Sequence, residues 1–101
     1  MLTHIVCWKY KTDTTPEQRE EHIAKLRNLA SAISEVISLE VGADVLHLDR
    51  SFDTGLVAVF ADEAGLDAYT IHPEHQTVVA VGRAIAEKVV SVDFVSSTVG
   101  S

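Results

Sequence analysis

Ala68-Tyr69-Thr70-Ile71-His72-Pro73-Glu74-His75 is the stretch from which the rest of the chain is read. Pro73 has a fixed φ and no N–H, so it closes a helix before it and can open the next. His72, the residue before it, is biased away from helical angles. The spacing predicts a short helix ending near Tyr69 to Ile71, a break at His72, and a second helix from Pro73 with His75 in its first turn. The positive end of the helix dipole favours a neutral imidazole there, and a neutral imidazole can act as a base.

Upstream, Asp62 is placed to cap the short helix. Before it, Leu56 to Ala61 reads as a strand, apolar on both faces and opened by Gly55. Leu46 to Thr54 reads as an exposed loop. Val36 to Val45 reads as another strand, with Gly42 marking a bulge or a close backbone approach. Thr15-Pro16-Glu17-Gln18 is a capping box with proline at the first helical position, opening a helix to about Ser34. Ile23, Leu26, Leu29, Ala30 and Ile33 form its buried stripe, with His22 at the edge. Leu2 to Lys11 is the first strand; His4, Val6, Trp8 and Tyr10 share one face, Thr3, Ile5, Cys7 and Lys9 the other. Downstream, Val78, Val79, Val81 and Ile85 give a buried helical face, and Lys88 to Val95 is a last strand. Residues 2–95 form one domain, and 96–101 read as a flexible tail.

The order strand, helix, strand, strand, helix pair, strand is the α+β, ferredoxin-like split arrangement, an antiparallel sheet with helices on one face. The strands are apolar on both faces, and a bare apolar sheet face exceeds the patch a monomer usually shows. A homodimer, two sheets closing into a dimeric α+β barrel, is the expected solution.

Composition narrows the function classes. Hydrophobic residues make up 47%, enough for a core, and no stretch has the ~20 apolar residues of a membrane span. Fifteen acids against 8 bases give a net charge of −7, which argues against nucleic acid or an anionic membrane as partner. One cysteine, Cys7, leaves no intrachain disulfide, and Met1-Leu2-Thr3-His4 lacks a signal peptide's basic and apolar blocks; the expected location is cytoplasmic. There is no Gly-rich phosphate loop, Ser-His-Asp order or Cys-x-x-Cys, and no cofactor is expected.

Thr3-His4-Ile5-Val6-Cys7-Trp8-Lys9-Tyr10, Ser38-Leu39-Glu40-Val41-Gly42, the Ala68 to His75 stretch and Val90-Ser91-Val92-Asp93-Phe94 together resemble the stress-responsive A/B-barrel domain, the Dabb family. The resemblance implies a dimeric barrel. The family includes plant stress proteins, bacterial proteins of unassigned role and a plant polyketide cyclase. By resemblance to the cyclase, His75 stands where a histidine acts as base and Tyr69 where a tyrosine assists it, with His4 lining the same cavity. Leu26 departs from the cyclase, which carries a pocket tyrosine there, and Val78 and Ala86 replace bulky aromatics. Some plant members hold a cation on backbone carbonyls at places matching Ala30, Ile33 and Val36.

The expected site therefore has His75 and Tyr69 as catalytic pair, in a pocket of His4, Val6, Trp8, Ile23, Leu26, His72 and Val78. The ligand class is a small, apolar, carbonyl-bearing molecule such as a polyketide, and the activity, if any, a cyclase-like lyase. The competing reading makes the protein a structural or stress-protective dimer, with His75 bonded to His4 and His72 serving only to cap its helix. A zinc site on His4, His72 and His75 is disfavoured, because no cysteine or carboxylate falls beside them at ligand spacing.

Overall fold

The computed structural model describes residues 1–97. β1 (Leu2–Tyr10), α1 (Pro16–Ala32), β2 (Ser38–Ala43), β3 (Thr54–Phe60), α2 (Glu63–Ile71), α3 (Pro73–Ile85) and β4 (Ala86–Val95) follow in chain order. The sheet order is β2-β3-β1-β4, with every neighbouring pair antiparallel. This is the expected ferredoxin-like α+β arrangement.

Local chemistry sets the helix boundaries. The Thr15 hydroxyl accepts from Gln18 N at 3.2 Å and Gln18 Oε1 accepts from Thr15 N at 2.9 Å, so α1 starts on a complete capping box. Asp62 accepts from Gly65 N at 2.9 Å and starts α2. His72, at φ −62° and ψ 134°, ends α2 and caps α3.

Strand periodicity divides the sheet. Val6, Trp8 and Tyr10 of β1 and Leu56, Ala58 and Phe60 of β3 are buried under the helices, against Leu26, Leu29, Ile33, Tyr69 and Val78. The helices do not reach across β4, whose helix-side residues Val89, Ser91, Asp93 and Val95 are exposed. On the opposite face no helix packs among the described residues. There Val92 and Phe94, paired to Ile5 and Thr3, are 54% and 44% exposed, and Val57 is 41% exposed.

Three expectations need correction. Ala30 is exposed and His22 is buried, because the stripe facing the sheet runs His22, Leu26, Leu29, Ile33. Gly42 carries no bulge; it pairs in register with Gly55, and the one shift in the ladders lies between Lys9 and Tyr10 opposite β4. The loop before β3 is not wholly exposed, since Asp53 accepts from Tyr10 N at 2.8 Å and donates its own N–H to Trp8 O at 2.8 Å. At the start of the expected tail Ser96 donates its N–H to Met1 O at 2.9 Å; positions 98–101 of that tail lie outside the described residues.

Candidate functional site

A cavity of about 290 Å³ lies between the sheet and the helices. β1 supplies His4, Val6 and Trp8 to its wall, α1 supplies Leu26, α2 Tyr69, and α3 His75 and Val78. Seven of the nine residues expected in the site thus border one space. Ile23 and His72 do not. Ile23 packs against the core instead, and His72 turns its Nδ1 to the Glu74 N–H at 3.1 Å, the capping role.

His75 is set by the helix break. Its Nδ1 lies 3.0 Å from the carbonyl oxygen of Thr70, the end of α2. A carbonyl only accepts, so Nδ1 carries the proton and Nε2 holds the lone pair. Burial holds the His75 pKa below the usual imidazole range, reinforced by the neighbouring His4 and His72 and opposed by the Thr70 bond. The imidazole is therefore neutral near pH 7, with its basic nitrogen on the ring edge away from Thr70.

Tyr69 stacks on it, the ring centroids 4.2 Å apart at 39°, and packs on Phe60 at 5.0 Å. Burial pushes the phenol up to about 12, so the hydroxyl stays protonated and can donate. His4 meets the Tyr69 ring edge-on at 6.2 Å. It bonds not to His75 but, through Nδ1, to the carboxylate of Asp93, its cross-strand partner on β4.

Three further polar residues border the cavity that the sequence did not single out as site residues: His22, Arg83 and Ser91. His22 had a signal in its spacing before Leu26 and Leu29. Gly82, a glycine inside a helical pattern, signalled a close approach beside Arg83. Among the described residues Thr54 Oγ1 is the one buried side-chain oxygen or nitrogen without a partner. The unpaired Tyr69 hydroxyl and Trp8 indole N–H therefore face open space rather than packed protein.

The His4, His72 and His75 trio gathers no metal-binding group among the described residues. At the end of α1, the Ile33 carbonyl accepts the Val36 N–H at 3.2 Å. No helix among the described residues is long and apolar enough to cross a membrane.

Residues 2–96 match the profile of the Stress responsive A/B Barrel Domain. A stress-response A/B barrel domain-containing protein of Arabidopsis thaliana is 34% identical, the match covering 97% of this chain and 88% of that protein. A crystal structure of a dimeric ferredoxin-like protein of unknown function from Thermobifida fusca superposes with a TM-score of 0.84 at 31% identity, covering 92% of this chain and 88% of that one. A hydroxynitrile lyase from Passiflora edulis superposes with a TM-score of 0.84 at 22% identity, over 96% of this chain and 94% of that one, a likeness of fold.

Proposed function

This chain belongs to the stress responsive A/B barrel domain family, and from that premise we propose that it binds a small, apolar, carbonyl-bearing molecule in its cavity and moves a proton beside that carbonyl. The observation that carries the reading is the pairing of a neutral His75, its Nε2 lone pair free, with the protonated Tyr69 hydroxyl at one end of a 290 Å³ cavity. That volume sits at the lower end of small-molecule sites.

The chemistry follows from the two groups. His75 Nε2 takes a proton from the carbon next to the carbonyl, and the C–H electron pair moves onto the oxygen as an enolate. Tyr69 donates a hydrogen bond to that oxygen. The enolate carbon then attacks a second carbonyl of the same ligand, as in ring closure of a polyketide, or is reprotonated by His75. His4, oriented by Asp93, closes the wall beside them. The Passiflora hydroxynitrile lyase lends support, since its name describes lyase chemistry on the same fold.

The protein works as a cytoplasmic homodimer closed by the helix-free faces, each covering the other's Ile5, Val57, Val92 and Phe94. The Thermobifida protein is described as dimeric, and the exposed apolar row supplies the driving force.

The test is exchange of the α-protons of acetophenone and of β-keto acids in D₂O, followed by NMR. His75→Gln keeps a hydrogen-bonding side chain and removes the base. It is expected to lower the exchange rate by ~10²–10⁴-fold while the thermal midpoint stays within a few degrees. Wild-type protein that exchanges no probe, together with a His75→Gln variant weakened by ~1–3 kcal/mol, would establish a structural role for the histidine and a stress-protective role for the dimer.

A further inference from the structure

The end of the cavity away from His75 is also polar. Tyr10 Oη lies 2.7 Å from His22 Nδ1, and His22 is 1% exposed. The phenol is the stronger acid of the two, so it donates to Nδ1, and Nε2 carries the ring proton. Trp8 packs edge-on against His22 at 5.0 Å. A Cβ on Gly82 would lie 2.9 Å from His22 Nε2 and 3.4 Å from Trp8 Nε1. The two nitrogens thus border one spot on α3, both from residues that line the cavity, and neither is engaged in a hydrogen bond among the described residues, which leaves both N–H groups open to the cavity. Indole N–H groups in buried settings usually find an acceptor. Arg83, the residue after Gly82, lines the same cavity and forms no ion pair among the described residues, in a chain whose net charge is −7.

We propose that Trp8, His22 and Arg83 form a second recognition point that takes the carboxylate of a ligand whose carbonyl lies at Tyr69 and His75. This rests on the reading of the cavity as a small-molecule site and narrows its ligand to a carbonyl acid. The two polar ends sit beside residues four apart on one face of β1, His4 next to Tyr69 and Trp8 next to His22, about 13 Å along the strand. The ligand therefore needs a spacer between its carbonyl and its carboxylate, and Val6, Leu26 and Val78 line an apolar middle that suits an aromatic ring.

The probes are 4-acetylbenzoate, which carries a carbonyl and a carboxylate at opposite ends of an aromatic ring, and acetophenone, which lacks the carboxylate. The chain has one tryptophan, so ¹⁵N-labelled protein shows a single indole N–H signal. Wild-type protein is expected to bind 4-acetylbenzoate at least ~10-fold more tightly than acetophenone, as a charge-assisted hydrogen bond provides. The indole signal is expected to move downfield with the acid alone. Arg83→Gln, an exposed and fold-neutral change, and Trp8→Phe, which keeps the ring, are each expected to bring the preference toward parity. Equal binding of both probes, or an indole signal the acid leaves in place, overturns the carboxylate site and leaves the cavity reading standing. Binding of neither probe overturns both.

Discussion

Gly82→Ala sets two opposed effects against each other. In a helix interior alanine is favoured over glycine by about 1 kcal/mol, so a free site would gain stability. Here the new methyl would lie 2.9 Å from His22 Nε2, below any ordinary carbon contact. The imidazole is held on its other edges. It is 1% exposed, bonded to Tyr10 at 2.7 Å, and wedged edge-on between Trp8 at 5.0 Å and Tyr10 at 5.6 Å. Overpacking of this kind costs ~1–3 kcal/mol, so steric conflict outweighs propensity. The expected net loss is about 1 kcal/mol, a fall of ~4–8 °C in midpoint for a domain of this size. The assay is thermal and urea unfolding at fixed protomer concentration, which holds constant any contribution from the proposed self-association. In a His22→Ala background the conflict disappears, and Gly82→Ala is expected to stabilise by ~1 kcal/mol from propensity alone. A wild-type midpoint that rises on Gly82→Ala would refute the packing of Gly82 against His22.

Thr15→Ala removes the N-terminal cap of α1 and is expected to cost ~1 kcal/mol in a urea melt. Val92→Asp puts an unpaired charge on the helix-free face, which the proposed homodimer would bury at a cost of ~3–5 kcal/mol; light scattering should then show monomer or unfolded chain in place of the proposed dimer. His22 and His75 have pKa values held below the unfolded 6.5, chiefly by burial. The unfolded chain therefore binds more protons below pH 6.5. Stability is expected to be level above that pH and to fall as pH drops from 6.5 toward the folded values, and His22→Leu should flatten part of that slope.

The sequence by itself determined the elements and their order. Proline at 73, the Thr15 capping box and the period-two strands act within a few residues of themselves, so they are legible without a fold. The same alternation placed His4, Val6 and Trp8 on one face of β1, and the resemblance set Tyr69 and His75 beside them. Tertiary structure decided what each polar group meets. His4 bonds Asp93, 89 positions away, through the β1–β4 register; no local pattern specifies that pair. His72 turned to the Glu74 N–H and left the cavity, because a free helix N-terminus nearby satisfies its nitrogen. His22 and Arg83 reached the cavity only because α1 and α3 pack side by side at Gly82. A side chain's face is written in short-range periodicity, whereas its partner depends on register and helix packing, which are settled between segments far apart in the chain.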